Sequence, residues 1–135
     1  MPRKIASFLL IGGFILLDQL SKLGVIWFFP AWVWLNPKGS WGILPSWLAF
    51  FGLAGILIWL RKNKTSNVWG AYLIIAGGIS NLLDRIFWKA VIDFIKLGPL
   101  PIFNLADVTI SLGLLLTLIT ELKIAKRKDE AKNYL

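Results

Sequence analysis

The sequence predicts an all-α membrane protein with four transmembrane helices, both termini in the cytoplasm and a small strand-like extracytoplasmic portion. Composition is the first reason: 57% of the 135 residues are hydrophobic and the mean hydropathy is +0.70, which is unusual for a soluble domain. The second is four apolar runs of about 20 residues, the length of a helix that crosses a bilayer. The third is the distribution of basic residues, which fall mainly on one side of these runs.

The four apolar runs form one predicted membrane domain that covers residues 1–135. They lie at about residues 5–28, 43–60, 68–88 and 102–122. The first run has the basic start and apolar core of a signal peptide, but it lacks a small-x-small cleavage motif and is interrupted by Asp18. We therefore expect it to be a retained first span. The second run is the shortest, and it begins near Pro45.

Positive charges predict the orientation of these spans. Ten of them fall on one side of a four-helix hairpin stack: Arg3, Lys4, Arg61, Lys62, Lys64, Lys123, Lys126, Arg127, Lys128 and Lys132. The two opposite connections carry only Lys38, Lys89 and Lys96, with Arg85 at a helix end. Because cytoplasmic loops are enriched in Lys and Arg, both termini are expected in the cytoplasm. The net charge of +8 is thus a topology signal, and nucleic acid is not an expected partner.

The chemistry open to this chain is narrow, because it contains no Cys and no His. Disulfides, thiolate zinc sites, a thiol nucleophile and a histidine general base are all excluded. Any hydrolytic reaction must therefore use carboxylates, lysines or hydroxyl groups.

Four acids lie outside the last fifteen residues: Asp18, Asp84, Asp93 and Asp107. Carboxylates beside membrane-length apolar runs need a specific reason, because their charged forms are costly in a low-dielectric environment. Asp18 has Lys22 at helical spacing, and Asp84 has Arg85 beside it, with Asn81 on the same helix face. These pairs are interpreted either as ion pairs that fix helix register or as functional groups, and both interpretations stay open.

Asp93 and Asp107 differ because neither has a basic residue at helical spacing. The segment VIDFI predicts a short strand around Asp93 in an outer connection, and Asp107 is expected about one and a half turns inside the fourth run. Two carboxyl groups at one depth suggest a dyad in which one is protonated while the other is ionised. Such a dyad can activate water for hydrolysis. A cation site, a proton relay or a small four-span proton-coupled transporter would also use paired membrane acids.

At these residues the chain resembles the lipoprotein signal peptidases (signal peptidase II), membrane aspartic peptidases of bacteria. Five segments carry the resemblance in chain order: DQLSK (Asp18 to Lys22), NPKGSWGIL (Asn36 to Leu44), GGISNLLDR (Gly77 to Arg85), VIDFI (Val91 to Ile95) and FNLAD (Phe103 to Asp107). One small departure is Ser80, which stands where the family usually has Gly.

The resemblance implies a role for each matching residue. Asp93 and Asp107 match the catalytic pair of the family. Four residues match polar groups that hold substrate or dyad: Asn36, Asn81, Arg85 and Asn104. Asp18, Lys22 and Asp84 match residues tied to helix packing and site shape.

The resemblance also implies partners and a reaction that needs no metal and no cofactor. The expected substrate is a prolipoprotein carrying diacylglycerol on a cysteine, and the expected cut lies just before that cysteine. Expected partners are membrane lipid and a globomycin-type cyclic peptide inhibitor. The expected location is the bacterial cytoplasmic (inner) membrane, with the active site near the extracytoplasmic face.

Overall fold

The computed structural model describes residues 3–37, 51–52, 54–55, 58 and 68–133. In these residues, three helices account for most of the structure: α1 (Arg3–Phe28), α2 (Val68–Trp88) and α3 (Leu105–Asn133). A 3₁₀ turn, Pro30–Trp32, follows α1, and two short strands complete the fold: β1 (Trp34–Asn36) and β2 (Val91–Asp93). The segment KGSWGIL, the basic residues Arg61, Lys62 and Lys64, and most of the second apolar run lie outside the described residues.

Two of the described helices are long and apolar enough to cross a membrane, over Ile5–Phe28 in α1 and Leu105–Ala131 in α3. Helix α2 occupies the third apolar run, and its C-terminal half contains Asn81, Asp84 and Arg85. The described chain is therefore mostly helical, with two membrane-capable helices and one strand pair. The four-span topology and the side on which the termini lie stay predictions.

The strand predicted around Asp93 is present as β2, which pairs antiparallel with β1. The register places Trp34 opposite Asp93 and Asn36 opposite Val91. Lys89, with a φ of 60°, turns the chain from the end of α2 into β2. A two-stranded pair of this length is marginal by itself in water, so its position depends on contacts with the helices.

The interior of the described chain is polar and its exterior is apolar. Eight polar or charged residues are buried, against seven hydrophobic ones. The buried polar residues are Asp18, Lys22, Ser80, Asn81, Asp84, Asp93, Asn104 and Thr109. Large hydrophobic side chains such as Phe8, Leu20 and Leu118 are more than half exposed along the helices. This distribution is typical of helices that face lipid and turn their polar groups toward one another.

Glycines bring α2 and α3 into backbone contact at two levels. A Cβ on Gly113 would lie 2.6 Å from the carbonyl oxygen of Gly70, and one on Gly77 would lie 2.5 Å from that of Ala106. Small residues allow this approach, and in lipid such packing replaces the hydrophobic effect as a source of helix association. The contact at Gly77 matters most for the acids, because Ala106 immediately precedes Asp107.

We expect Gly77→Ala to destabilise the protein by about 1–3 kcal/mol. The new methyl group would clash with the backbone oxygen of Ala106, which cannot move aside as the end of a flexible side chain can. Thermal unfolding of the purified protein in detergent measures the effect. Gly12→Ala is the matched control, because a Cβ at Gly12 meets nothing within 4 Å. Equal melting temperatures for Gly77→Ala and Gly12→Ala would contradict the proposed close contact.

Candidate functional site

Asp93 ends strand β2, where its carboxylate is buried and receives two side-chain hydrogen bonds. Asn104 Nδ2 donates to Asp93 Oδ1 at 2.7 Å, and Asn36 Nδ2 donates to Asp93 Oδ2 at 3.2 Å. Asn36 lies on the paired strand β1 and Asn104 just before α3. Two amides from separate parts of the chain therefore fix both oxygens of this carboxylate.

Asp107 lies in the first turn of α3, because that helix begins at Leu105. The expectation that Asp107 lies one and a half turns inside its helix is wrong. Phe103 is extended and bridged to Ile95, which delays the start of the helix. Asn104 caps the helix: its Oδ1 accepts from Asp107 N at 2.9 Å, and its own N donates to Asp107 Oδ2 at 3.4 Å. This reciprocal pair is the geometry of a capping box.

Two asparagine amides connect the carboxyl groups of Asp93 and Asp107. Asn81, on α2, donates from Nδ2 to Asp107 Oδ1 at 2.9 Å. Its Oδ1 accepts from Asn104 Nδ2 at 3.1 Å, and that same nitrogen donates to Asp93. The structure thus brings together two acids and three of the four polar residues that the sequence associates with them, Asn36, Asn81 and Asn104.

Next to this pair, on the other side of Asn81, lies a buried ion cluster formed by Asp18, Lys22 and Asp84. Lys22 Nζ is 2.6 Å from Asp18 Oδ2 and 2.7 Å from Asp84 Oδ2, and all three side chains are at most 2% exposed. Lys22 also donates to Asn81 Oδ1 at 3.2 Å. The predicted ion pair between Asp18 and Lys22 is confirmed, and it joins α1 to α2 through Asp84.

The interpretation of Asp84 and Arg85 as an ion pair is wrong. Asp84 is directed toward Lys22, whereas Arg85 Nη1 donates to the backbone oxygen of Asn81 at 3.1 Å. Adjacent helical residues point about 100° apart, so their proximity in sequence does not bring the two side chains together. Arg85 lies close enough to Asp107, Asp84 and Asp93 to interact with them electrostatically. Its Nε is buried without a hydrogen-bond partner among the described residues.

Sequence analysis missed two residues of the cluster as site residues, Gln19 and Ser80. Gln19 Nε2 donates to Asp84 Oδ1 at 2.8 Å and to Ser80 Oγ at 3.0 Å. Ser80 Oγ in turn donates to Asp18 Oδ2 at 2.7 Å. Both are polar residues within apolar runs, which is the signal that could have identified them. The hydroxyl group of Ser80 is therefore part of the buried cluster.

The environment of Asp93 favours its protonated form. Burial, followed by the nearby carboxylate of Asp107, raises the pKa of Asp93 from 3.8 to about 6. Hydrogen bonds from Asn36 and Asn104, together with the charge of Lys22, act in the opposite direction. The net result is a carboxyl group that titrates near neutral pH, which is the range useful for general acid–base chemistry.

Two grooves border this region. One, of about 310 Å³, runs along the first part of α3 and the segment before it. Asp107 and Ser111 line it among apolar residues that include Phe103, Val108 and Leu112. The other, of about 1000 Å³, lies between the end of α1, β1 and the segment after β2, and neither acid lines it. Of these two grooves, the smaller one reaches a member of the acid pair, Asp107. Among the described residues, no group of three or more His, Cys, Asp and Glu side chains is arranged to hold a metal ion.

Comparison with known protein families assigns the chain as a whole. A family model described as signal peptidase (SPase) II matches residues 10–123. The chain belongs to the signal peptidase II family. The resemblance inferred from its five motifs is thereby confirmed, and membership implies that the chain is a peptidase.

Relatives of this signal peptidase II chain are similar to it in sequence or in structure over most of its length. A lipoprotein signal peptidase of Syntrophomonas wolfei is 34% identical over 91% of the chain and 95% of the relative. A lipoprotein signal peptidase of a Synechococcus species is 34% identical over 82% and 90%, respectively. A solved bacterial membrane enzyme, 25% identical, superposes with a TM-score of 0.74 over 91% of both chains. A second solved bacterial membrane enzyme, 24% identical with a TM-score of 0.70, shares the fold.

The raised pKa of Asp93 predicts a pH-dependent difference in stability between the wild type and Asp93→Asn. A carboxyl group whose pKa rises on folding stabilises the fold fully below its ordinary pKa of 3.8 and loses that contribution as pH rises through about 6. The amide introduced by the substitution does not titrate. Thermal unfolding of both proteins between pH 4 and 8 should therefore show wild-type stability declining relative to Asp93→Asn from pH 4 to about 6 and levelling off at higher pH. A difference that stays constant over this range would contradict the raised pKa.

Proposed function

We propose that the chain is an aspartic endopeptidase that removes signal peptides from diacylglyceryl-modified prolipoproteins by cutting before the lipid-modified cysteine. The observation that carries this proposal is Asn104, which contacts both Asp93 and Asp107 and so holds two carboxyl groups in one site. The chain has no His and no Cys, so this acid pair is the best-placed group for peptide hydrolysis. Family membership supports the substrate, because the two relatives compared above are lipoprotein signal peptidases.

The proposed reaction uses one proton shared within the pair. Like charges this close disfavour double ionisation, so one carboxyl group keeps a proton while the other is ionised. The ionised group removes a proton from water, whose oxygen attacks the carbonyl carbon of the scissile bond. The protonated group polarises the carbonyl oxygen, and the carbon–nitrogen bond breaks as the leaving amine takes up a proton. The raised pKa of Asp93, about 6, supports a singly protonated pair at mildly acidic pH.

Asn36, Asn81 and Asn104 are proposed to hold the dyad. Each donates an amide N–H to one of its carboxylate oxygens, which keeps those oxygens in place while protons move. Arg85 differs because it contacts neither acid directly. Its guanidinium lies in electrostatic range of both and has a buried Nε without a partner among the described residues, which supports a role toward substrate.

The groove beside Asp107 supports an apolar peptide as substrate. Its lining combines that one acid and Ser111 with six apolar residues on α3 and the segment before it: Leu100, Pro101, Phe103, Val108, Leu112 and Leu115. A signal peptide has an apolar core, so it can lie against this wall within the membrane while its end reaches the acids. We expect a globomycin-type cyclic peptide to compete for the same place.

The location that follows is the cytoplasmic membrane, with the dyad near its extracytoplasmic face. Basic residues support the cytoplasmic placement of both termini, and exposed tryptophans such as Trp27, Trp32 and Trp34 support an interface at the opposite end of α1. A proton-coupled transporter fits less well, because Asp18 and Asp84 are neutralised by Lys22 rather than placed to carry protons across the membrane.

We expect Asp93→Asn and Asp107→Asn each to lower kcat for a diacylglyceryl-modified prolipoprotein by at least about 10³-fold, because either change removes one of two groups that act as a unit. A gel-shift cleavage assay in detergent measures the loss, and thermal unfolding verifies that each variant is folded. Asp129→Asn is the matched control, because Asp129 is exposed near the end of α3. Cleavage by either dyad variant at the rate of that control would overturn the assignment.

The same assay tests the substrate class. The wild-type protein should cleave the diacylglyceryl-modified prolipoprotein with a kcat/KM at least about 100-fold higher than that for the unmodified form, since lipid binding contributes to recognition. Both substrates should carry the same peptide sequence, so that only the lipid differs. Equal cleavage of the two forms would argue for a peptidase that does not read the lipid, and cleavage of neither would reject the proposed function.

A further inference from the structure

Lys22 has no hydrogen-bonding capacity left for substrate. Its ammonium group has three N–H donors, and three acceptors surround it: Asp18 Oδ2, Asp84 Oδ2 and Asn81 Oδ1. The side chain is 1% exposed, so neither water nor a peptide reaches it in this arrangement. Any effect of Lys22 on the reaction must therefore be transmitted through the residues that it contacts.

The first of these effects is the orientation of the Asn81 amide. An ammonium group only donates hydrogen bonds, so the atom of Asn81 that faces Lys22 must be the oxygen. The amide nitrogen then faces Asp107, to which it donates at 2.9 Å. The opposite orientation would place the carbonyl oxygen of Asn81 against the carboxylate of Asp107 and its nitrogen against Lys22, and both contacts would be repulsive.

The second effect reaches Asp93 through Asn104. The Asn81 oxygen that Lys22 holds also accepts from Asn104 Nδ2, the nitrogen that donates to Asp93 at 2.7 Å. The other atom of that amide, Oδ1, accepts from the backbone N–H of Asp107. Asn104 is thus fixed between Asn81 and the start of α3. Lys22 is linked to Asp107 through one amide, that of Asn81, and to Asp93 through two, those of Asn81 and Asn104.

The third effect acts on the backbone that carries the dyad. Asp84 Oδ2, which pairs with Lys22, also accepts from the backbone N–H of Ile92, the residue before Asp93. Asp18 Oδ1 accepts from the backbone N–H of Ala106, the residue before Asp107. Each acid that pairs with Lys22 therefore also holds the residue adjacent to one member of the dyad. An ion pair that only fixed helix register would not need these backbone contacts.

We propose that Lys22 is a positioning residue for the Asp93–Asp107 pair, setting the orientation of the Asn81 and Asn104 amides and the placement of both acids. The proposal rests on the proposed peptidase function. It assigns to Lys22 a contribution to turnover beyond the packing and site shape that the sequence implied. Loss of its ammonium group should leave substrate binding largely intact while disturbing the geometry in which water is activated.

The charge of Lys22 gives a second observable. Charged groups that face Asp93 come from each neighbouring element: Lys22 on α1, Asp84 and Arg85 on α2, and Asp107 on α3. Among these, Asp107 raises the pKa of Asp93 and Lys22 lowers it. Removing the positive charge should therefore move the titration of Asp93 to higher pH, and with it the limb of the pH–kcat profile that reports the proton of the dyad.

The test compares the wild type with Lys22→Met, which keeps the length of the side chain and removes its charge. We expect kcat for the diacylglyceryl-modified prolipoprotein to fall by about 100-fold or more with KM changed by less than about threefold, because small misplacements of catalytic groups have effects of this size. The limb of the pH–kcat profile that reports the titration of the dyad should move to higher pH. Carboxyl ¹³C NMR of Asp93 in lipid nanodiscs should show the same displacement, and this measurement does not depend on the substrate being correct.

Two further variants separate positioning from packing. Gly113→Ala overpacks the contact between α2 and α3 at Gly70 without touching the cluster or the dyad, so it should lower the melting temperature while kcat stays within about threefold of the wild type. In Lys22→Met/Asn81→Ala, the combined loss of kcat should be smaller than the product of the two single losses, since part of the effect of Lys22 passes through Asn81. Multiplicative losses, or an unchanged kcat and an unchanged Asp93 titration in Lys22→Met, would overturn the proposal.

Lys22→Met leaves two buried carboxylates without their partner and therefore has a risk of misfolding. In that event, the comparison is between Asp18→Asn/Asp84→Asn, which keeps Lys22, and Asp18→Asn/Lys22→Met/Asp84→Asn, which carries no charge in the cluster. A kcat at least about tenfold lower in the second variant supports positioning by Lys22. Equal kcat values in the two overturn it. Failure of the wild type to cleave the lipoprotein instead counts against the proposed function, while the Asp93 titration still decides the role of Lys22.

Discussion

The ammonium group of Lys22 is the interaction on which the rest of this structure depends. It is fully buried, and its three acceptors come from α1 and α2. The two acids that it neutralises extend the network to the backbone of Ile92 and Ala106. One cation thus holds the last part of α2, the strand β2 and the first turn of α3 in a fixed relation. Breaking a buried pair of this kind costs several kcal/mol, typically about 3–5, because a charge is left without compensation.

This dependence follows from the inverted polarity of the chain. Helices that face lipid gain little from burying apolar side chains against one another, since lipid tails are equally apolar. Association then rests on close backbone packing, as at Gly70, Gly77 and Gly113, and on polar groups that would be costly to leave unsatisfied. In such a protein, the interactions that hold the helices together and those that build the site are largely the same. A polar residue next to the dyad is therefore difficult to classify as only structural.

Local patterns in the sequence predicted the parts of the structure that depend on local contacts. The apolar runs predicted α1 and α2 closely, alternation predicted β2, and i, i+4 spacing predicted the pair of Asp18 with Lys22. The asparagines came from the family resemblance, because a polar residue in an apolar run does not reveal its partner. What failed or was missed depends on distant contacts: Lys22 and Asn81 are 59 positions apart, and Asp18 and Ala106 are 88 apart. Because Arg85 is adjacent to Asp84, it wrongly suggested an ion pair between the two. The cation that pairs with Asp84 is Lys22, on another helix.

The two acids of the proposed dyad are held in different ways, and Asn104 is where these ways meet. Asp107 is placed by a local motif, a capping box closed by residues three positions apart. Asp93 lies on a three-residue strand that is too short to be stable alone, so its position comes from β1, from Asp84 and from the Asn104 amide. Because Asn104 both caps α3 and binds Asp93, the helix start that fixes one acid also fixes the other. One residue at a helix end thus links the positions of the two acids, and this link helps a short and marginal strand to carry half of a site that requires accurate geometry.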